Sequence, residues 1–182
     1  MGLDISAYRS VTKLDVNFDE GGEAIDKVTG EPVDYDVRVY ANPDFPGREE
    51  GVEDRAVYTA KDGMSFRTGY GSHGAWREEL AKLAGYQATP VDRGYGSVTE
   101  MHSGGAWSAE SGPFWELINF SDCEGTIGPV VSAKLARDFS DWGERASKHD
   151  EANALDGYFY KRFQEWCQAF EMAADGGLVD FH

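Results

Sequence analysis

The chain has 182 residues, close to the size of a single domain, and 41% of them are hydrophobic while 27% are charged. It carries 33 acidic against 17 basic residues, which gives a formal net charge of -16. This composition excludes a disordered chain and a coiled coil, and no stretch reaches the roughly 18 apolar residues of a membrane-spanning helix.

The first third of the chain predicts antiparallel strands. Apolar and polar residues alternate over residues 3–7, as in a strand with one buried face. Residues 17–34 are acidic and rich in turn formers, which indicates a surface connection, and a second strand is expected over residues 35–39. Residues 57–59 and 64–67 flank an Asp-Gly pair, a pattern that favours a β-hairpin.

Three helices are predicted in the rest of the chain. The first contains Trp76 and ends at Gly85, the second begins at Pro129, and the third carries an apolar stripe from Leu155 to Ala173. Their periodic apolar faces are typical of core helices. Residues 114–120 are expected to form another buried strand.

Residues 85–113 form a long glycine-rich segment, which is typical of a binding loop. The alternative is a short hairpin around Gly104-Gly105. Together these patterns predict a single α+β domain over residues 1–182, with an antiparallel sheet built mainly from the N-terminal third and packed by three helices.

Residues 69–74 form a G-x-G-x-x-G pattern between a predicted strand and a predicted helix. Backbone N–H groups there can approach a phosphate, and Arg67, His73 and Arg77 add local positive charge. The preceding strands lack the βαβ order of a dinucleotide fold. The pattern therefore predicts either a local anion or nucleotide site or a plain glycine-rich turn.

Aromatic residues on the glycine-rich segment are candidates for stacking against a flat ligand, or for anchoring the loop. Tyr86, Tyr95, His102 and Trp107 lie there, and Tyr70 lies within the glycine pattern. The predicted ligand-binding residues are Arg67, Gly69, Tyr70, Gly71, Ser72, His73, Gly74, Arg77, Tyr95, His102 and Trp107.

A second candidate site is the pair Asp122 and Glu124. In an extended segment these carboxylates point the same way, so they could hold a cation or act as acid and base. The alternative is that they accept loop N–H groups before the next helix. Cys123 between them is a poor nucleophile, because neighbouring carboxylates disfavour the thiolate.

Other kinds of site lack support in the sequence. The four histidines show no zinc-type spacing, and no Walker A, HExxH or GxSxG motif is present. We therefore expect no cofactor and no metal. The negative charge also argues against direct DNA or RNA binding, because it repels phosphate backbones.

Three segments resemble uncharacterised phage- and prophage-encoded proteins: the opening Met1-Gly2-Leu3-Asp4-Ile5, residues 76–80 and residues 120–129. The resemblance implies a phage accessory protein that acts in the bacterial cytoplasm and counteracts host defence. A cytoplasmic protein also agrees with Asp4 and Arg9, which interrupt any signal-peptide core, and with only two cysteines.

Three functions follow from these observations. The first is non-catalytic capture of a small anionic or nucleotide-like ligand by residues 67–77 with the loop aromatics. The second is hydrolysis of a phosphoester or glycosidic bond by Asp122 and Glu124 with His102. The third is a nucleic-acid mimic that inhibits a basic host factor, such as a host defence protein, through the carboxylates of residues 15–54.

Overall fold

The computed structural model describes residues 2–94 and 96–182, which form eleven strands and five helices. The strands are β1 (Gly2–Arg9), β2 (Thr12–Lys13), β3 (Val16–Phe18), β4 (Ala24–Asp26), β5 (Val37–Arg38), β6 (Val57–Thr59), β7 (Asp62–Gly69), β8 (Thr89–Asp92), β9 (Val98–Met101), β10 (Gly125–Ile127) and β11 (Leu178–Phe181). The helices are α1 (Tyr70–Ala84), α2 (His102–Trp107), α3 (Trp115–Ile118), α4 (Pro129–Ala152) and α5 (Tyr158–Ala174).

The main sheet has four antiparallel strands in the order β10-β11-β1-β7. In the central strand β1, Ile5 pairs with Phe181 on one side and with Phe66 on the other. A smaller sheet has the order β2-β6-β5, and β3–β4 and β8–β9 form two separate hairpins. The predicted α+β class is therefore confirmed.

The main core lies between the four-stranded sheet and the long helices. Leu3, Ile5 and Ala7 are fully buried there, in the alternation that the sequence predicts. The rings of Phe139 in α4 and Phe163 in α5 meet with centroids 4.7 Å apart. On the opposite face of the sheet, a second apolar cluster joins β1 and β11 to the smaller sheet; it contains Val37, Val39, Ala56, Tyr58 and Leu178, with Tyr8 packed against it.

The three predicted long helices are present as α1, α4 and α5. Gly85 caps the end of α1 in the left-handed conformation (φ 83°), and Pro129 is the first residue of α4. The 3.6-residue apolar periodicity was a reliable signal because each of these helices buries one face.

The predicted hairpin is wrong, although both of its strands are present as β6 and as part of β7. The segments 57–59 and 64–67 do not pair with each other: β6 pairs with β2 and β5, whereas β7 pairs with β1. Gly63 is not a turn residue but lies inside β7, opposite Tyr8. A Cβ there would lie 3.3 Å from the Tyr8 ring, so glycine permits a close approach between the strands.

The predicted buried strand over residues 114–120 is wrong. Phe114 adopts a left-handed conformation (φ 56°) and begins the short helix α3. A short apolar run does not distinguish a buried strand from a buried helix. The strands that complete the sheet are instead β10 and β11, and the predicted surface connection over residues 17–34 contains the β3–β4 hairpin.

About half of the glycine-rich segment 85–113 is regular. It forms the β8–β9 hairpin, followed by α2. The alternative of a short hairpin around Gly104-Gly105 is therefore wrong, because the hairpin of this segment pairs residues 89–92 with residues 98–101. Both of those glycines lie in α2, where a Cβ on Gly104 would come within 2.6 Å of Val91.

Candidate functional site

A cavity of about 890 Å³ lies between α1, the β8–β9 hairpin and α2. This volume is within the roughly 300–1,000 Å³ of small-molecule sites. The cavity brings together six of the predicted ligand-binding residues, namely Tyr70, Gly71, Gly74, Arg77, His102 and Trp107. Asp122, from the second candidate site, lines it as well.

One face of α1 forms the floor of the cavity. Gly71, Gly74, Ala75 and Glu78 follow one another at helical spacing and all line it. An added Cβ at Gly71 or Gly74 would meet no atom of another described residue within 4 Å, apart from the chain neighbours and the backbone of α1 itself. The backbone of α1 is therefore open to a bound molecule along its first two turns.

The Glu78 carboxylate joins α1 to α2. Its two oxygens accept hydrogen bonds from the backbone N–H groups of His102 (2.8 Å) and Ser103 (2.9 Å), and from the Ser103 hydroxyl (2.8 Å). His102 Nδ1 lies 3.0 Å from the same carboxylate and donates to it, since a carboxylate only accepts. Burial alone would raise the pKa of Glu78, but these hydrogen bonds outweigh it and lower the pKa.

Arg77 lines the cavity, but its guanidinium is occupied within the protein. The side chain is buried, and it donates to the carbonyls of Ile118 (3.4 Å) and Phe120 (2.8 Å) and to the Asp122 carboxylate. Burial lowers the pKa of Arg77, and neighbouring Asp122 opposes that shift. Arg77 thus holds the segment after α3 in place, a structural task that the sequence pattern did not indicate.

The predicted cradle of residues 69–74 has a different form. Gly69 ends β7 in an extended conformation (φ -77°, ψ 146°), and α1 begins at Tyr70 without an intervening loop. Ser72 is exposed on the first turn of this helix. The stretch is the junction of a strand and a helix, so any ligand would meet helical backbone there.

Arg67 and His73 do not join Arg77 at the cavity. Arg67 is 70% exposed on β7, and its Nε lies 3.2 Å from the Asp4 carboxylate. His73 is 1% exposed and packs between Trp76 and Trp166, with ring centroids 6.3 and 5.7 Å away. Burial lowers the pKa of His73 to about 3, so the imidazole is neutral. The expected cluster of three basic residues is therefore not formed.

Asp122 and Glu124 are not a facing pair. The segment bends, and the Ser121 hydroxyl oxygen accepts the N–H groups of Cys123 and Glu124, both at 3.1 Å. Asp122 lines the cavity, whereas Glu124 is exposed outside it. The prediction of an extended segment with both carboxylates on one face is wrong, and the loop N–H groups are bound by Ser121 rather than by either carboxylate.

The aromatic candidates divide between the two roles that the sequence left open. Tyr70 and Trp107 line the cavity, and Trp107 is 45% exposed although its Nε1 donates to Ile118 O (3.3 Å). Tyr86 anchors the loop through its hydroxyl, which donates to Pro113 O (3.1 Å), and burial raises its pKa to about 12. Tyr95 lies outside the described residues.

The sequence pattern missed the contribution of the β8–β9 hairpin, which brings Arg93, Glu100 and Met101 to the cavity. Two four-residue runs, 89–92 and 98–101, on either side of the sequence Arg-Gly-Tyr-Gly-Ser were the available signal. With these residues the lining has three cations (Arg77, Lys82 and Arg93) and three carboxylates (Glu78, Glu100 and Asp122). This balance contrasts with the net charge of -16 for the whole chain.

Comparison of the chain with protein-family models, with curated proteins and with solved structures gives no match. Within residues 2–94 and 96–182, no three His, Cys, Asp or Glu side chains gather in a group that could hold a metal ion. No helix in the described part of the chain is both long and apolar enough to cross a membrane.

Proposed function

We propose that the protein binds a small anionic, nucleotide-like ligand, without transforming it, in the cavity between α1, α2 and the β8–β9 hairpin. The observation that carries this proposal is the open glycine face of α1, which lies in one cavity with two aromatic side chains, Tyr70 and Trp107. Aromatic walls accept a flat ring by stacking, and glycines let a ligand approach the helix backbone closely.

The electrostatics of the cavity support an anion better than those of the acidic segment 15–54. The lining of the cavity is balanced in charge, whereas residues 15–54 carry thirteen carboxylates and three basic side chains. A negatively charged molecule is therefore repelled less at this cavity than at that segment. Backbone N–H groups in the first turn of α1 add partial positive charge nearby.

The test uses two helical glycines that differ in position. Gly74 in α1 lines the cavity and Gly143 in α4 does not, and a Cβ on either would meet nothing within 4 Å in the described part of the structure. Each Gly→Ala change should stabilise the fold by roughly 0.5–1 kcal/mol, because alanine favours a helix. Only Gly74→Ala should weaken binding of nucleoside phosphates, measured by titration calorimetry against a panel of mono-, di- and triphosphates.

Two results would overturn the proposal. One is that no member of the panel binds the unmodified protein. The other is that the protein binds a nucleotide with equal affinity in the Gly74→Ala and Gly143→Ala variants. Chromatography of the recovered nucleotide distinguishes binding from turnover, because the hydrolase alternative requires a changed product that a Glu124→Gln substitution abolishes.

A second candidate function is inhibition of a basic host factor by the acidic segment 15–54. Its surface exposes Phe18, Tyr35 and Tyr40 among the carboxylates, and aromatic side chains are enriched at protein interfaces. One of its three basic residues, Arg48, is buried. The expected complex weakens steeply with salt; a partner bound equally well at high salt would contradict it.

The phage origin, the counter-defence role and the bacterial cytoplasm remain predictions from the resemblance of the sequence. Recovery of the proposed ligand from infected cells, by mass spectrometry of molecules released from purified protein, is the experiment that connects them to the cavity.

A further inference from the structure

We infer that the ligand of the cavity carries a single phosphate, bound by Arg93, and a flat ring with an amino group: a nucleoside monophosphate of the adenosine or cytidine type. This inference rests on the proposed function and concerns the chemistry that the site selects. It follows from the side chains that remain available for a ligand once the contacts within the protein are counted.

Of the three cations at the cavity, two have carboxylate partners. Arg77 donates to Asp122 and to two carbonyls, and Lys82 Nζ lies 2.6 Å from a carboxylate oxygen of Glu79. Arg93, at the end of β8, has no carboxylate partner within the described part of the chain. Among the described residues, the side-chain hydrogen bond of Arg93 runs from Nη1 to the Met101 sulfur, 3.5 Å away, which is a weak acceptor.

One free guanidinium matches one phosphate. Arginine binds phosphate through two parallel N–H donors. Arg93 is exposed on the hairpin, and a phosphate oxygen would replace the weak sulfur acceptor of its Nη1. Further phosphates in a di- or triphosphate would add negative charge beside Glu100 and Asp122, in a chain that already carries -16. The charge balance therefore selects against the longer phosphate chains.

Of the three carboxylates at the cavity, two are likewise bound within the protein and one remains available to a ligand. Glu78 is occupied by α2 and Asp122 by Arg77, whereas Glu100 is exposed on β9 and accepts no hydrogen bond among the described residues. A carboxylate is an acceptor only, so it favours a ligand group that donates. An exocyclic amine on a ring stacked beside Tyr70 or Trp107 supplies such a donor.

The test measures affinities for adenosine, AMP, ADP, ATP and IMP by titration calorimetry. We expect AMP to bind about tenfold or more tightly than both adenosine and ATP. Adenosine lacks the phosphate and therefore its hydrogen bonds to Arg93, whereas the additional phosphates of ATP are repelled by the carboxylates. IMP, which lacks the amine, should bind more weakly than AMP. Arg93→Gln should remove the preference for AMP over adenosine, and Glu100→Gln should reduce the preference for AMP over IMP.

Arg67→Gln is the matched control, because Arg67 is an exposed arginine that pairs with Asp4 away from the cavity. Its affinity for AMP should equal that of the unmodified protein. The inference fails if ATP or adenosine binds as tightly as AMP, or if Arg93→Gln and Arg67→Gln behave alike. If a nucleotide still binds in those cases, and Gly74→Ala weakens that binding, the proposed function survives; absence of any nucleotide binding ends both.

Discussion

Ser103 donates two hydrogen bonds to one carboxylate oxygen of Glu78, from its backbone N–H at 2.9 Å and from its hydroxyl at 2.8 Å. A side chain in the middle of α1 thus caps the N-terminus of α2, which lacks a capping side chain of its own. The wall of the cavity depends on this contact, because α2 carries His102 and Trp107.

Replacement of Glu78 by glutamine should loosen α2. An amide has one acceptor oxygen and places donors where N–H groups of α2 already donate, so we expect a loss of about 1–3 kcal/mol in the free energy of unfolding. Urea unfolding measures the loss, and hydrogen exchange should locate it in residues 102–107. Glu144→Gln, a change at an exposed carboxylate of α4, should leave both measurements unchanged; equal effects of the two changes would contradict the assignment.

Replacement of His73 by phenylalanine should remove an acid sensitivity. The folded pKa of about 3 lies below the ordinary 6.5 because the imidazole is buried. Between these values the unfolded chain binds a proton that the folded protein does not, so stability falls as pH decreases, by roughly 2 kcal/mol at pH 5. His73 Nε2 has no hydrogen-bond partner among residues 2–94 and 96–182, so the phenylalanine variant loses no hydrogen bond at that atom.

Urea unfolding of the His73→Phe variant at pH 7 and pH 5 tests this prediction. We expect a variant of similar stability to the unmodified protein at pH 7, and greater stability than the unmodified protein at pH 5. Parallel stability curves for the two proteins would show that His73 does not titrate as a buried neutral group.

Asp180 should have the opposite pH dependence. Burial raises its pKa to about 6, although the Thr126 hydroxyl donates to it at 3.1 Å. The folded protein then binds a proton between pH 3.8 and pH 6 that the unfolded chain lacks. This contribution to stability is complete at low pH and is lost as pH rises through about 6.

Asp180→Asn should therefore raise the free energy of unfolding at pH 8, by up to about 3 kcal/mol, and change it little at pH 4. The amide oxygen still accepts from Thr126. Thermal and urea unfolding at both pH values measure the difference, with the exposed Asp175→Asn as the control. A variant that is less stable than the unmodified protein at pH 8 would contradict the prediction.

Replacement of Arg48 by methionine should destabilise the turn that follows α3. Arg48 is buried, stacks on Trp115 at 4.3 Å, and donates to the carbonyls of Glu116 and Asn119, both at 3.1 Å. Its loss leaves these carbonyls without their donor, at a cost of about 1–3 kcal/mol. Arg55→Met, at an arginine whose side chain is 83% exposed, should have no such effect in the same unfolding assay.

Local sequence patterns predicted the elements whose structure is determined locally. The apolar stripe of α5 and the alternation in β1 each follow from a single buried face. The order of the main sheet was not predictable in this way, because β1 pairs with β11, far along the chain. Hydrophobic pattern specifies which face is buried but not which strand lies beside it.

The candidate site shows the same division. The glycines and aromatics near residue 70 were found because their spacing is a local property. Arg77 lines the cavity, but its guanidinium does not add free positive charge as the sequence predicted. It donates to backbone carbonyls more than forty residues later in the chain, at Ile118 and Phe120. No local pattern marked Glu78 as a residue of the site, because its partners lie in α2, 24 and 25 residues away.

The pairing of β1 with β11 also determines when the protein can fold during synthesis. Ser6 and His182 are hydrogen-bonded although they are 176 residues apart. During synthesis β1 therefore keeps one edge unpaired until residues 178–181 emerge from the ribosome, and contacts between such distant residues form slowly. A nascent chain stalled before residue 178 has emerged should be far more sensitive to protease than one in which β11 has emerged.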